Sequence, residues 1–294
     1  MAGESDKPKT EPRGFHSTHH AHIAPDAGGG NKQIIIVALI AALGGGAGIW
    51  YLNRAGEDNK LNSLFNSADA RKISTSSGQR GNITLSDGST LSIAPATKLT
   101  VIPDYNKTYR GVKVEGGLQM GVKASANTPL EMRVGGAALV LNEGAVIARA
   151  YPDEGDAYIK ITEGSAEVRA KEVRRQITAP ASLHVSKDSL LTDADAATVD
   201  AATSFADGKL TINNQPLSAV LPLFTKYYAL TMDADKALLD RPVTMTAGLD
   251  SKSDAIKALE ASAFVKFAYE GASAKPVLRD DPAAAAKAAK AAKK

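Results

Sequence analysis

The chain of 294 residues contains no cysteine, and aromatic residues make up only 5% of it. The absence of cysteine excludes a disulfide framework, a cysteine-ligated zinc site and a thiol nucleophile. The low aromatic content predicts a core built from Ala, Val, Leu and Ile. The net charge of +3 is too small to indicate a nucleic-acid-binding protein.

Motifs for catalysis and cofactor binding are missing as well. The sequence has no P-loop, no GxGxxG after a strand and no HExxH. Asp153 with Glu154, and Asp280 with Asp281, form carboxylate pairs in turn or tail contexts. Acid–base catalysis needs environments that separate two pKa values, which exposed neighbours do not provide. The sequence therefore predicts no catalytic residue, no cofactor, no metal site and no enzymatic activity.

Most of the histidines lie in one short tract. Four of the five occur in HSTHHAH, namely His16, His19, His20 and His22. Such a tract can bind transition metals, but it lacks a carboxylate partner and lies in a polar segment typical of disorder. A solvated tail is the favoured interpretation. His184 stands alone in a β-rich stretch and is interpreted as an ordinary surface or core histidine.

One apolar run bears on the compartment. Residues 34–52, beginning at Ile34, contain no charged residue over 19 positions, close to the roughly 20 needed to cross a bilayer. Trp50 and Tyr51 end the run, and such side chains favour the membrane interface. A retained single transmembrane helix is the favoured interpretation, with a cleaved signal peptide or a buried soluble helix as alternatives.

The orientation of this span follows from segment lengths. Lys and Arg are equally numerous in the segments that flank it, so the positive-inside rule gives no direction. A short N-terminal segment before a long folded part suits insertion with the N-terminus inside. We therefore expect a single-pass protein of the bacterial inner membrane, with a cytoplasmic N-terminus and residues 53–294 in the periplasm.

Beyond the span, the apolar residues alternate, as in Ile83 with Leu85 and Val112 with Val114. This period of two predicts strands with one buried face. Turn signals recur at Asp87-Gly88, Pro103-Asp104, Gly116-Gly117, Gly135-Gly136, Asn142-Glu143-Gly144, Pro152-Asp153-Glu154-Gly155 and Glu163-Gly164. Short strands at this spacing predict an all-β domain, with a type I′ hairpin turn at Asp87-Gly88.

The pattern changes after about residue 203, where two helical segments alternate with short strands. PLSAVLPLFTKYY carries apolar residues on one helical face, and Ser251 is the predicted N-cap of SKSDAIKALEASA. The strands GKLTINN, ALTMD, RPVTMTAGL, FVKFAYE and KPVLRD complete a βαβ-type module. The predicted fold class is thus mainly β, with a transmembrane helix, an antiparallel β domain of sandwich or β-solenoid-like type, and a small α+β domain.

The predicted segments follow one another along the chain. They are a disordered cytoplasmic tail at 1–33, the transmembrane helix at 34–52, a partly helical stalk at 53–72, the β domain at 73–186, a linker at 187–202, the α+β module at 203–279 and an Ala/Lys-rich tail at 280–294. The last segment is interpreted as a solubilising tail, with contact to acidic envelope polymers as the alternative.

The β domain resembles the FecR domain of membrane-anchored anti-sigma factors. Leu85-Ser86-Asp87-Gly88-Ser89 matches the Leu-x-Asp-Gly-Ser motif of that family, and RGVKVEGGLQMGV, residues 110–122, matches its second motif. Residues 205–270 resemble the module that follows in these proteins, which is similar to the secretin/TonB short N-terminal domain. Gly117 and Met120 depart from the family pattern, which usually has Glu and an aromatic residue there.

This resemblance implies a non-enzymatic signalling protein. Its partners would be an outer-membrane TonB-dependent transducer, or another envelope protein, and an extracytoplasmic-function sigma factor. The family's cytoplasmic part is usually a helical sigma-binding domain, whereas this chain has 33 residues there without helical periodicity. An envelope scaffold that docks on a secretin or receptor without sigma control is therefore the alternative.

Partner binding is expected on the α+β module. A small core leaves strand edges uncovered, and an uncovered edge can pair with a partner strand. Candidate edges are GKLTINN and FVKFAYE, and the candidate partner-binding residues are Tyr227, Tyr228, Phe267 and Tyr269. At least one of the two adjacent tyrosines is expected to be partly exposed; the alternative is that both close the core.

Overall fold

The computed structural model describes residues 57–125, 128–171, 173–269 and 276–291, all within one compact unit, Gly56–Lys294. The predicted tail at 1–33 and span at 34–52, with Ile34, Trp50 and Tyr51, lie outside the described residues. Within the described ranges, none of the helices is both long and apolar enough to cross a bilayer.

A helix and eleven strands form the first part of the fold. Helix α1, Glu57–Phe65, lies in the segment predicted as a partly helical stalk and carries Leu61, Leu64 and Phe65. The strands are β1 Arg71–Ser74, β2 Gly81–Thr84, β3 Thr90–Ile93, β4 Lys98–Val101, β5 Arg110–Val122, β6 Leu130–Val134, β7 Ala137–Ala150, β8 Ala157–Ala170, β9 Val173–Thr178, β10 Ala181–Val185 and β11 Leu191–Asp193.

Three long strands run through two layers of this sheet. The first half of β5 pairs with β4 and β6, and its second half pairs with β3 and β7. Strands β7 and β8 change partners in the same way. The first layer therefore has the order β1–β4–β5–β6–β7–β8–β9, and the second has the order β2–β3–β5–β7–β8–β10–β11.

The expected mainly β architecture is confirmed, and the β domain is a two-layered sandwich. Its pairings are antiparallel except for β5 with β6, which run parallel. The alternating apolar residues of both layers point inward to one core, which includes Leu99, Met120, Met132, Leu139 and Ile159, each fully buried. Each such side chain contributes about 1.5–3 kcal/mol through burial.

Three of the predicted turns are kinks inside long strands. Gly116, Gly144 and Gly164 lie within β5, β7 and β8 at the points where these strands change partners, and all have positive φ. A Cβ atom on Gly144 would lie well inside contact distance of the Glu163 carbonyl oxygen. Glycine is needed there because the two backbones approach closely and φ is positive. These glycines therefore let single strands pass between layers and do not connect separate strands.

The second part of the fold alternates helices with short strands. Its elements are α2 Ala196–Thr203, a 3₁₀ turn Ser204–Asp207, β12 Lys209–Pro216, α3 Leu217–Tyr228, β13 Asp233–Ala234, a 3₁₀ turn Lys236–Leu238, β14 Pro242–Gly248, α4 Lys252–Ala263, β15 Val265–Tyr269, β16 Pro276–Asp280 and α5 Pro282–Ala291. Ser251 is the N-cap of α4, as its sequence predicts, and its Oγ accepts a hydrogen bond from the Asp254 amide.

The strands of this module form two small sheets. Strand β12 pairs antiparallel with β14, whereas β16 pairs with β13 and β15. Of the predicted strand ALTMD, residues 229–233, only Asp233 lies in a strand, the two-residue β13, because the rest of that stretch makes no ladder. The segment predicted as a linker, 187–202, contains β11 and most of α2, and α2 packs over β8 and β10.

The module shares its hydrophobic core with the β domain. Ala94, Ile147 and Tyr151 of the second layer belong to the same buried cluster as Phe224 and Leu259 of the module. The Phe205 ring lies over Gly117, where a Cβ atom would meet it at 3.1 Å. The absence of a side chain at Gly117, one of the departures from the family pattern, thus makes room for this contact.

Candidate interaction surfaces

A buried ion pair connects the two motifs that carry the family resemblance. Arg110 Nη1 lies 3.0 Å from Asp87 Oδ2, and the two side chains are 0% and 5% exposed. Asp87 Oδ2 also accepts hydrogen bonds from the Tyr105 hydroxyl and the Ser89 hydroxyl, both at 2.9 Å. Asp87 Oδ1 accepts a further bond from the Ser89 amide at 2.9 Å. The carboxylate is therefore fully engaged inside the protein.

The remaining donors of Arg110 bind main-chain oxygens. Nε donates to Thr128 O at 2.6 Å, Nη1 to Lys123 O at 2.7 Å and Nη2 to Asn142 O at 3.1 Å. A buried guanidinium is tolerated only when it is paired and hydrogen-bonded in this way. The motif residues Asp87, Ser89 and Arg110 thus have a structural role in this fold.

The turn that presents Asp87 differs from the predicted type I′ turn. Gly88 has φ +85°, but Asp87 is absent from the positive-φ residues, and a type I′ turn requires positive φ at both central positions. The Gly88 amide donates to Leu85 O, and the Leu85 amide to Ser89 O. This is a three-residue loop with Gly88 in the left-handed conformation. Hydrogen bonding to the Asp87 carboxylate favours this loop over the two-residue one.

The network determines the protonation of its members. Burial by itself would raise the pKa of Asp87, but the hydrogen bonds from the Ser89 amide, Arg110, the Ser89 hydroxyl and Tyr105 outweigh it, and the pKa is lowered. Burial, followed by the hydrogen bond to Asp87, raises the pKa of Tyr105 well above its usual range. Asp87 is therefore the charged acceptor and Tyr105 the neutral donor.

A second polar cluster joins the β domain to the module. Arg149, on β7, binds Glu154 through two parallel hydrogen bonds of 2.9 and 2.8 Å. Lys226, on α3, lies 2.8 Å from Glu154 Oε1 and 2.9 Å from Asp153 Oδ2. Arg149 Nη1 also donates to Ala202 O at the end of α2. We call Arg149, Glu154 and Lys226 the interlobe cluster, because these residues join the β domain to the module.

Aromatic rings cover the interlobe cluster. The Arg149 guanidinium lies 5.6 Å from the Tyr151 ring centre and 5.8 Å from that of Tyr227, and Lys226 Nζ lies 4.3 Å from the Tyr151 ring centre. Such cation–π contacts add to the ion pairs. Burial by itself would raise the pKa of Glu154, but its bonds to Arg149 and Lys226 outweigh this effect and lower it.

Sequence reasoning missed this cluster, because Asp153 and Glu154 were placed in an exposed turn. The Asp153 side chain is 60% exposed, but that of Glu154 is only 22% exposed. The signal in the sequence was Arg149, a charged residue among the apolar positions of β7. Its partners come from a loop and a helix that sequence spacing alone does not bring together.

Tyr227 and Tyr228 lie in the core, so the expectation that one of them is exposed is wrong. They are 2% and 3% exposed. Tyr227 packs edge-on against Tyr151 with ring centres 6.3 Å apart, and the Tyr228 hydroxyl donates to Gly248 O at 3.1 Å. Both rings pack α3 against the core. The structure therefore does not support a direct contact of either ring with a partner.

Strand β15, which carries Phe267 and Tyr269, is an edge strand of its small sheet. It pairs with β16 on one side. Phe267 is half-buried, and its amide donates to Glu260 Oε1 of α4 at 2.8 Å. A carboxylate on the outward amide limits pairing with other strands, as natural edge strands commonly require. Tyr269 ends this strand.

The other candidate edge, GKLTINN, is interrupted. Strand β12 pairs with β14, and its register shifts between Ile212 and Gln215. Asn214 has φ +46°, and its amide donates to Thr244 Oγ1. A bulge of this kind bends a strand and ends regular pairing. Of the two predicted edges, β15 is therefore the more regular.

The histidines and acidic pairs form no metal site in the described ranges of the chain. No group of three or more metal-binding side chains is brought together there. His184 stacks on Tyr158, with ring centres 5.2 Å apart, and its Nε2 lies 3.3 Å from Asp156 Oδ2. Asp280 pairs with Arg241, and Asp281 accepts a hydrogen bond from the Ala284 amide. The histidine tract at 16–22 lies outside the described residues.

Comparisons with known proteins find one matching family model and crystal structures with a similar fold. The model of the FecR protein family matches residues 71–167. Two crystal structures of a candidate anti-sigma factor from Parabacteroides distasonis have similar folds. The first has a TM-score of 0.61 and 20% sequence identity, and the match covers 72% of this chain and 99% of that structure's chain. The second has a TM-score of 0.60 and 19% sequence identity, and the match covers 71% of this chain and 99% of that structure's chain. No curated protein matches the chain significantly.

Residues 71–167 thus match the FecR family model, and the predicted resemblance of the β domain to the FecR domain is confirmed. The fold similarity extends past this domain into the module, since the aligned part covers about twice as many residues as the family model. The β domain and the module therefore occur together in the related structures.

Asp87→Asn should destabilise the protein by about 3 kcal/mol, because it leaves the Arg110 guanidinium buried without a counter-charge. Chemical denaturation of the purified chain measures this change. Asp104→Asn is the matched control, since Asp104 pairs with Lys107 on the surface and such pairs contribute little. Equal effects of the two substitutions would contradict the assigned role of Asp87.

The same substitution predicts a pH dependence. The folded pKa of Asp87 is lowered, so its contribution is present above the unfolded value of about 3.9 and is lost as pH falls through the folded pKa. The stability difference between wild type and Asp87→Asn should therefore shrink in acid. A difference that grows as pH falls below about 3.9 would have the wrong sign.

Glu154→Gln should destabilise the fold by about 2 kcal/mol, because Arg149 and Lys226 both lose a charged acceptor. Asp153→Asn is the control, since it contacts the same lysine from an exposed position and should change stability by less than about 1 kcal/mol. Thermal unfolding of the two variants measures the difference. A larger effect of Asp153→Asn would show that the interlobe cluster does not depend on Glu154.

Proposed function

We propose that this protein is a membrane-anchored signalling protein of the FecR type that regulates a sigma factor. The observation that carries the proposal is the FecR domain at residues 71–167. The fold similarity to candidate anti-sigma factors over 99% of their chains supports it. FecR and anti-sigma families are regulatory, and a signalling role requires interaction surfaces instead of catalytic residues.

The proposed signal path crosses the inner membrane. An outer-membrane TonB-dependent transducer, or another envelope protein, would bind the periplasmic part, and the tail at 1–33 would contact an extracytoplasmic-function sigma factor. The uncharged run at 34–52 supports a single span between them. Residues 53–294 would then be periplasmic, and the absence of cysteine allows them to fold there without disulfide formation.

The edge of β15 is the proposed contact for the envelope partner. It lies on the module, it is regular, and its Phe267 amide is held by the side chain of Glu260 instead of by another strand. A partner strand could replace this carboxylate and add main-chain hydrogen bonds. Phe267 and Tyr269 keep their proposed role in this contact, whereas Tyr227 and Tyr228 would act through the position of α3.

An envelope scaffold is the second candidate function. The observation that favours it is the tail at 1–33, which lacks the helical periodicity expected of a sigma-binding domain. In this alternative, the β domain and module dock on a secretin or receptor, and no sigma factor is involved. The two functions share the periplasmic contact and differ in the cytoplasmic one.

Deletion of the tail at 1–33 separates these functions. In the signalling function, the tagged tail of the full chain co-purifies with a sigma factor, and its deletion changes transcription from promoters that depend on that factor. The anchored protein must still be present at normal levels, which an immunoblot of membranes checks. Unchanged transcription at normal protein levels would reject the signalling function in favour of the scaffold.

The proposed periplasmic contact is testable in the intact chain. A photo-crosslinking residue at Lys266, which is exposed on β15, should capture the envelope partner, whereas one at Lys252, exposed at the start of α4, should not. Glu260→Gln should increase capture at position 266, because a neutral amide holds the Phe267 amide less strongly than a carboxylate does. Equal capture at positions 266 and 252 would reject the edge of β15 as the contact.

A further inference from the structure

Cationic side chains form a row across the outer face of the first layer. The register aligns one residue from each of seven neighbouring strands. In strand order they are Lys72, Thr100, Lys113, Arg133, Ala138, Arg169 and Arg174. Five of the seven are cations. With a strand spacing of about 4.8 Å, the row is roughly 29 Å wide.

These residues all lie on the face opposite the core. Their sequence neighbours, such as Leu99, Val112 and Met132, point into the buried cluster between the layers. Successive side chains of a strand alternate between faces, so the cations point away from the second layer. The small side chain of Ala138 leaves a cleft between Arg133 and Arg169, and Lys171 and Arg174 line the same cleft.

The carboxylates on this face are largely covered. Glu131 is 1% exposed, and its two oxygens lie 2.5 Å from Arg133 and 2.6 Å from Arg169. Glu115 lies 2.9 Å from Lys113 and 3.7 Å from Lys98. Burial by itself would raise the pKa of Glu115, but the larger effect of the Lys113 hydrogen bond, with the nearby charges, lowers it. Glu115 therefore stays ionised, and the ion pairs of both acids hold the cations in place.

The exposed charge on this face is positive. Among the described residues it carries seven cations, namely Lys72, Lys98, Lys113, Arg133, Arg169, Lys171 and Arg174, against the three carboxylates Glu115, Glu131 and Glu167. Five of these cations are exposed, whereas Arg133 is mostly covered and Arg169 is buried. The excess of four exceeds the net charge of +3 of the whole chain. The charge of the protein is therefore concentrated on one sheet face, and the composition as a whole does not reveal it.

The chain enters the fold on this same face. Leu61 and Phe65 of α1 pack with Ile102, and a Cβ atom on Gly111 would meet the Phe65 ring at 3.1 Å. Gly111 lies two positions before Lys113 on β5, so both point outward. Helix α1 begins at Glu57, and only residues 53–56 separate it from the predicted span. The described part of the chain therefore begins on the outer face of the first layer.

We propose that this face docks on the anionic lipid headgroups of the membrane that anchors the protein. The inference rests on the proposed membrane anchorage. A wide sheet face with five exposed cations fits a lipid surface, and each Lys or Arg near anionic lipid favours binding. The module packs on the other layer, so docking leaves the edge of β15 accessible to a partner.

The absence of cysteine makes this docking measurable in the full chain. Ser74→Cys places a fluorescent label on the cationic face, beside Lys98 on the next strand. Ser92→Cys places it on the outer face of the second layer, also in an exposed strand position. The labelled chain is reconstituted into phosphatidylcholine vesicles, with or without phosphatidylglycerol, that contain a lipid with a quencher on its headgroup.

Docking predicts quenching of the label at position 74 in vesicles with phosphatidylglycerol, and little quenching at position 92. High salt should remove the quenching, because the Debye length falls to about 3 Å at 1 M. Lys72→Gln and Lys171→Gln should each lower the docked-to-free ratio roughly fivefold. The control pair, Lys209→Gln and Lys252→Gln, removes two exposed charges from the module and should have little effect.

Equal quenching at both positions, or quenching that does not depend on phosphatidylglycerol, would overturn the proposal. Capture of an acidic protein by this face without lipid-dependent quenching would overturn it too. Flotation with pure phosphatidylcholine vesicles reports the anchorage separately. If the chain floats but shows no quenching, the proposed anchorage stands and the docking of this face is rejected. If the chain does not float, the anchorage itself is rejected.

Discussion

The buried Arg110 guanidinium is the group on which the closure of the sandwich depends. It begins β5, one of the three strands that run through both layers, and its acceptors come from four other places in the chain. These are the β2–β3 turn, the end of β5, the connection before β6 and the kink of β7. A buried cation that is not hydrated is stable only when all of its hydrogen-bond acceptors are in place. Folding must therefore bring all of these segments together.

The second layer depends on a similar requirement. Arg149 projects from its outer face, where Glu154 and the Tyr151 ring of the β domain and Lys226 and the Tyr227 ring of the module surround it. Without the module, this arginine, Ile147 and Tyr151 would lie on an open sheet face. The β domain and the module therefore form one folded unit with a common core. A partner strand bound at β15 would act on α4 through Glu260 and reach this core through the packing of Leu259.

Local patterns in the sequence were sufficient for the strands, the capped helix and the FecR resemblance, because each depends on residues close together in the chain. The same patterns failed at Gly116, Gly144 and Gly164. A glycine between two alternating stretches indicates either a turn or a kink, and only the pairing partner distinguishes them. Tyr227 and Tyr228 were misjudged for a related reason. The surface that covers Tyr227 comes partly from Tyr151, which is more than 70 residues away in the chain.

The cationic row shows why the remaining features need a structure. Five of the seven strands contribute an outward Lys or Arg to the row beside inward apolar residues, which is ordinary for a solvated sheet. The row exists only because β5 and β6 pair in parallel, which aligns Lys113 with Arg133. A shift of one residue would turn Arg133 into the core. Glu131, which is buried between two arginines, favours that register, and the same ion pairs that stabilise the fold therefore also hold positive charge on one face.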